Sequence, residues 1–209
     1  MTKDNAPELF YLDMGKMLLS FDYDIAARKM ANVCGASAAD CRKFAYEGDL
    51  YLKMETGELS PEEFHTRFSE ATGTTCDGKA LMLARSDMFT LMIPTARIVT
   101  QLKGVRKRVG LLSNTSPDHF EFCREKFGVI GSLFDEYVLS YEVGAMKPDR
   151  KIYDVAIQKA GVPAERIFYV DDRQENVAGA KEIGIDAVLF TDAVQLLADL
   201  RNRGVELNL

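Results

Sequence analysis

"RIFYVDDRQENVAGAKEIGIDAVLF", Arg166 to Phe190, carries a strand, a helix and a second strand in immediate succession. "RIFYV" is a short apolar run rich in β-branched and aromatic residues, which suits a buried strand. "ENVAGAKEIG" has helical texture and a glycine stop at Gly184. "DAVLF" (Asp186 to Phe190) is again strand-like. Strands that are apolar throughout and joined by helices belong in a parallel sheet covered on both faces. At the end of the first of these strands stand two acids, Asp171 and Asp172.

The same alternation runs from about Arg97 onward. "RVGLLS" (Arg108 to Ser113) reads as a buried strand. "SPDHFEFCREKFG" follows as a helix, with Ser116 at the N-cap, Pro117 in the first turn and Gly128 at the stop. "EYVLS" (Glu136 to Ser140) is a further strand, and "PDRKIYDVAIQKAG" a helix ended by Gly161. The opening "LFYL" (Leu9 to Leu12) completes the set, closed by Asp13. Between Tyr23 and Leu91 the texture changes to helical periodicity without a convincing strand. "LSPEEFHTRFSEATG" there holds a capping box, Ser60 as cap and Glu63 three residues on. The expected architecture is therefore α/β: a Rossmann-like core of residues 1–21 and 92–209, interrupted by an all-helical insertion at 22–91.

Bulk properties narrow the function. The 209 residues are 47% apolar and 28% charged with net charge −6, an ordinary globular balance. No basic run is long enough to track a phosphate backbone, and "KGVRKR" (Lys103 to Arg108) suits a solvated helix end, so nucleic acid is not an expected partner. The four cysteines lack metal-ligand or disulfide-framework spacing. The start of the chain has no apolar signal segment and no later run reaches membrane-spanning length, so a reducing, cytoplasmic location is expected. Oligomeric state is not legible.

In an open parallel sheet, ligands bind outside the carboxyl ends of the strands. Asp13, the Ser113-Asn114-Thr115 run and the Asp171-Asp172 pair all stand at such ends, and Lys147 precedes the helix after the third strand. Taken singly, each suits an ordinary turn or cap residue. Together they put three carboxylates on one rim, an arrangement whose repulsion calls for a cation. Carboxylate and carbonyl oxygens suit Mg²⁺, and a lysine with a hydroxyl would complete a phosphate site.

These stretches resemble the four motifs of the haloacid dehalogenase superfamily, in its phosphatase branch with a helical cap after the first motif. "FYLDMGKML" is similar to the first motif, "VGLLSNT" to the second, "SYEVGAMKPDRKIY" to the third and "FYVDDRQENVAGAKEIG" to the fourth. Together with "METGELSPEEF" in the insertion, they look like the subgroup containing glucose-1-phosphate phosphatases. The resemblance implies a Mg²⁺-dependent phosphomonoesterase acting on a small phosphorylated metabolite, such as a sugar-1-phosphate, with Asp13 as nucleophile and an aspartyl-phosphate intermediate. It further implies Mg²⁺ on the Asp13 carboxylate, the Gly15 carbonyl, Asp172 and Asp171 (the last directly or through water). Ser113 and backbone N–H groups around Asn114 would hold phosphate oxygens, Lys147 would balance charge, and Asn176 would support the acidic loop.

The chain departs from that family at Gly15, where most of its phosphatases carry a second aspartate as general acid and base. Losing that group typically removes a factor of roughly 10²–10⁴. Three consequences stay open: another group or water moves the proton, the substrate has an easy leaving group, or the protein is a phosphatase-like binder with little turnover. If proton donation limits the rate, Gly15→Asp should raise turnover on alkyl phosphates. Lys16, next to the gap, reads first as a solvent-facing loop lysine, with assistance to the leaving group as its alternative. Lys43 and Lys53 read as solvated helix lysines, and His65 and His119 as surface or interface histidines. The aromatics and methionines Phe44, Tyr46, Tyr51, Met54, Phe64 and Phe68 read first as helix-packing core, with some free to wall a pocket.

Overall fold

The structure, a computed structural model, describes residues 6–208. Its main sheet holds β1 (Leu9–Leu12), β4 (Arg108–Ser113), β5 (Glu136–Leu139), β6 (Ile167–Asp171) and β7 (Asp186–Leu189), in the order β5-β4-β1-β6-β7. All four pairings are parallel. Strand β1 is buried at every position because both its edges are paired and both its faces are covered. Its side chains alternate between two cores: Phe10 and Leu12 join one, Leu9 and Tyr11 the other. A Cβ at Gly110, the residue paired with Tyr11, would overlap the Tyr11 ring, so this close approach accounts for the glycine in "VGLLS". The Tyr11 hydroxyl is satisfied by donating to the Ala156 carbonyl at 3.0 Å.

The core helices are α6 (Ile93–Gly104), α7 (Pro117–Lys126), α8 (Gly128–Ser132), α9 (Ser140–Val143), α10 (Arg150–Ala160), α11 (Gln174–Glu182) and α12 (Ala193–Asn202). This strand order places the ends of β4, β1 and β6 side by side, so Ser113, Asp13 and Asp171 meet on one rim.

One expectation fails. The stretch from Tyr23 to Leu91 does contain a strand: β3 (Phe89–Leu91) pairs antiparallel with β2 (Leu19–Phe21), Leu19 opposite Leu91 and Phe21 opposite Phe89. Three residues are too few to display a period of two, and the strand exists because its partner lies seventy positions away. Between these strands run α1 (Tyr23–Cys34), α2 (Ala38–Tyr46), α3 (Asp49–Glu55), α4 (Pro61–Thr72) and α5 (Gly78–Ser86). The box on α4 is formed: Glu63 N donates to Ser60 Oγ at 3.2 Å, and Ser60 N donates to the Glu63 carboxylate at 2.9 Å.

Ser116 sits at the N-cap of α7 without its side chain capping the helix. Its hydroxyl instead donates to Asp118 at 2.8 Å and accepts from Arg85 at 3.2 Å. Arg85, fully buried at the end of α5, is ion-paired with Asp118 and stacked beneath Phe64 at 4.9 Å and Tyr46 at 5.6 Å. This pair ties the helical insertion to α7. Among the described residues no helix is long and apolar enough to cross a membrane.

Candidate active site

Lys147 is the hub of the rim. Its ammonium donates to Asp13 Oδ1 at 2.7 Å, Asp171 Oδ2 at 2.6 Å and the Leu112 carbonyl at 2.8 Å. Its backbone is clamped by the Asn114 side chain, whose Oδ1 accepts from Lys147 N at 2.7 Å and whose Nδ2 donates to Lys147 O at 3.0 Å. Burial works against the ammonium, but Asp13 and Asp171 outweigh it and hold the Lys147 pKa above its usual value.

Asp171 is saturated. Besides Lys147 it accepts from the Tyr169 hydroxyl, from Arg173 N at 2.8 Å and from Asn176 Nδ2 at 3.0 Å. Burial pushes its carboxyl up, yet Lys147 and these hydrogen bonds prevail and keep it below the usual range. Asp13 is less well supported. Burial raises its carboxyl to about 7, with Lys147 opposing and Asp171 and Asp172 adding to the rise. Asp172 is half-buried and also raised, by burial first and Asp171 second. The oxygens of Asp13, Asp171 and Asp172 lie within 4.8 Å of one another. Three carboxylates thus cluster beside one buried ammonium, which touches two of them. That donor set, all oxygen and in negative excess, fits a hard divalent cation. With Asp171 fully engaged, the carboxylates open to an ion are those of Asp13 and Asp172.

Asp13, Gly15, Lys147 and Asp172 line a cavity of about 370 Å³. On the β4 side its wall is Asn114 and Thr115, not Ser113. Ser113 is buried at the strand end and its hydroxyl donates to the Asn114 carbonyl at 3.3 Å. The Thr115 hydroxyl, also buried, has no hydrogen-bond partner among the described residues. Asn176 is 2% exposed and borders the cavity as well as holding Asp171.

Gly15 is crowded by Phe21: a Cβ there would lie 3.0 Å from Phe21 Cε1, so a side chain requires the ring to give by a few tenths of an ångström. Lys16 is exposed at the mouth, with a left-handed backbone, φ 51°. Lys43 is exposed and Lys53 is paired with Asp49 at 2.7 Å; neither borders the cavity.

The helical insertion supplies the far wall, Tyr23, Tyr51, Leu52 and Glu55. Of the insertion residues singled out in the sequence, Tyr46, Met54, Phe64 and Phe68 are core, Phe44 is part-buried and Tyr51 faces the cavity. Among the cavity residues that the sequence did not single out are His119 and Glu55. His119, expected at a surface or interface, is 3% exposed in the wall, and burial, with Arg85 nearby, draws its imidazole down to about 3, leaving it neutral. Glu55 is 4% exposed, and burial raises its carboxyl to about 7 against opposing effects of Tyr51, Arg85, Lys147 and Arg173. A glutamate at the end of a short helix looks like any solvated charge until the partners that bury it are known.

The chain is similar to known proteins over most of its length. The chain is 28% identical over 182 residues to D-ribitol-5-phosphate phosphatase of Bacteroides thetaiotaomicron, covering 83% of this chain and 87% of that one. Its fold is similar to a predicted HAD-like hydrolase from Porphyromonas gingivalis, with TM-score 0.80 and 22% identity over 94% of this chain and 98% of that one. It is also similar to a HAD-family enzyme of B. thetaiotaomicron solved with magnesium and inorganic phosphate, with TM-score 0.77 and 23% identity over 88% and 93% of the two chains. Residues 23–184 match the model of the haloacid dehalogenase-like hydrolases, a span that takes in Lys147, Asp171 and Asp172 and begins after Asp13. The chain belongs to the haloacid dehalogenase-like hydrolase family.

Proposed function

We propose that the protein is a Mg²⁺-dependent phosphomonoesterase for a small phosphorylated metabolite, a sugar or polyol phosphate, with Asp13 as nucleophile. The observation that carries this is the placement of Asp13: a buried carboxylate held at 2.7 Å by Lys147, at the floor of a cavity shared with Asp172. One oxygen is fixed by the ammonium, which leaves Oδ2 to attack phosphorus. The Asp13–phosphorus bond forms as the ester bond breaks, and water then cleaves the aspartyl-phosphate to release inorganic phosphate.

Lys147 offsets charge on the nucleophile and on the transferring group. Backbone N–H groups around Asn114 and the Thr115 hydroxyl are suited to phosphate oxygens, and Ser113 shapes the turn that presents them. Asn176 and Asp171 hold the acidic loop. Asp13, Asp172 and the Gly15 carbonyl would hold the metal, and Asp171, its oxygens already engaged, would add negative charge beside it. When bound, Mg²⁺ supplies positive charge that stabilises the transferring phosphoryl group. Residues 22–91 act as a cap over the core of 1–21 and 92–209, excluding water while transfer proceeds. The cavity volume suits a ligand of a few carbons plus phosphate, and the tyrosine hydroxyls and Glu55 on the cap side suit its hydroxyl groups, in keeping with the ribitol-5-phosphate activity of the relative.

Release of inorganic phosphate from a panel of sugar-1-, sugar- and polyol-phosphates, with Mg²⁺ and with chelator, tests the reading beside Asp13→Asn. Metal-dependent turnover abolished by the substitution is expected. A flat background on every ester would favour a phosphate-binding protein instead.

A further inference from the structure

We propose that Glu55 is the group that protonates the leaving oxygen and later takes the proton of the attacking water, in place of the side chain absent at Gly15. This rests on the phosphatase reading and extends it.

The need arises on the other side of the cavity. Position 15 offers no proton donor, and the Phe21 ring fills the space where one would begin. The remaining titratable groups around the cavity are few. Lys147 is committed to two carboxylates and a carbonyl. Asp172 stands on the ion-binding side. Arg173 keeps its proton, and burial raises the phenols of Tyr23 and Tyr51 far from neutrality. His119 is held neutral and has no acidic proton to give at ordinary pH. Lys16 is exposed at the mouth with no ion-pair partner among the described residues. Glu55 is left.

Its placement is built into the backbone. Glu55 closes α3, and Gly57, two residues on, has φ 71° and lies so near the Tyr141 carbonyl that no side chain fits there. Tyr141 belongs to α9, the turn that leads into Lys147. The contact therefore seats the end of α3 directly against the segment that carries the catalytic ammonium. On its own helix Glu55 lies one turn from Tyr51, whose hydroxyl lies 3.4 Å from that of Tyr23 on α1. Arg85 on α5, Lys147 and Arg173 are the cations facing it. These cations lower its carboxyl and burial raises it, leaving it near 7, where donor and acceptor forms coexist.

The steps balance. As the Asp13 oxygen bonds to phosphorus, the ester oxygen departs with the Glu55 proton and Glu55 becomes a carboxylate. Water then gives its proton to Glu55 while its oxygen attacks phosphorus, the Asp13–phosphorus bond breaks, and phosphate leaves with Glu55 protonated again.

The test compares parent and Glu55→Gln on 4-nitrophenyl phosphate and on ribitol-5-phosphate, both with Mg²⁺. On the alkyl ester turnover should fall roughly 10²–10⁴-fold. On the aryl ester, whose phenolate leaves unaided, one equivalent of nitrophenolate should appear at near-parental rate, followed by slow turnover and trapped phosphoenzyme. The falling limb of the alkyl-ester rate above about pH 7 should vanish in the variant. Equal losses on both esters with no burst, or unchanged rates on both, would overturn the role of Glu55 while leaving Asp13 chemistry intact. A parent enzyme with no metal-dependent hydrolysis would instead overturn the phosphatase reading, and this role with it.

Discussion

The edge of the Phe21 ring occupies the space that a side chain on residue 15 would enter, 3.0 Å from where its Cβ would lie. Phe21 is itself wedged between Tyr23 at 5.1 Å and Phe89 at 5.8 Å, so it has little freedom to yield. Restoring the missing aspartate by Gly15→Asp alone is therefore expected to leave alkyl-phosphate turnover unchanged or lower. Paired with Phe21→Ala in a Glu55→Gln background, the same substitution should raise it about tenfold or more, because a restored proton donor contributes up to roughly 10²–10⁴. Steady-state rates on a primary-alcohol ester for both variants check this; a gain from the single variant would show that the ring moves aside.

Lys147 separates two carboxylates that would otherwise face each other. Lys147→Met should lower phosphoryl transfer about 10²–10³-fold and leave Asp13 and Asp171 uncompensated. The more anionic rim should then bind a divalent ion more tightly than the parent does. Thermal melts across a Mg²⁺ titration read this directly, since a ligand at 100 times its Kd stabilises by about 2.7 kcal/mol. A midpoint shifted to higher Mg²⁺ would contradict the charge argument.

Arg85 and Asp118 form a buried pair between α5 and α7. Breaking it from one side leaves an unpaired charge, so Arg85→Met should destabilise by about 3–5 kcal/mol. Burial pushes the Asp118 carboxyl up, but Arg85 prevails and holds it well below the ordinary range. Its stabilisation is thus present above the unfolded-state value of 3.8 and is lost as pH falls further toward the folded-state value. Urea midpoints at decreasing pH should show parent and Asp118→Asn converging in acid; a constant gap would count against the pair as the source.

Glu55 runs the other way. The folded chain keeps a proton that the unfolded chain releases between 4.5 and about 7. The stability this group allows is present below 4.5 and is lost as pH rises through about 7. Glu55→Gln should therefore match the parent near the acid end and exceed it by roughly 3 kcal/mol in mildly alkaline solution. Denaturation curves across that range check the crossover, and a uniform loss at every pH would argue that the carboxylate is well accommodated.

Much of the core was readable because its strands are short apolar runs with no alternative use. "LFYL", "RVGLLS" and "RIFYV" become β1, β4 and β6 within a residue at either end. Strand ends in such a sheet face one rim, so Asp13, Asp171 and Asp172 could be grouped before any coordinates. Ser113 shows the limit of that logic. It stands at the right strand end, yet the chain turns so that Asn114 and Thr115 form the wall.

Sequence alone determined the parallel α/β core and the acidic strand ends, since each is a local pattern of apolar runs, turns and charges, and the family resemblance marked the gap at residue 15. Tertiary structure alone decided which groups surround the gap. Phe21, Glu55, His119 and the Arg85–Asp118 pair owe their surroundings to contacts between helices and strands far apart in the chain. Burial, which sets both the space beside Gly15 and the proton affinity of Glu55, is a property of those contacts and of no single segment.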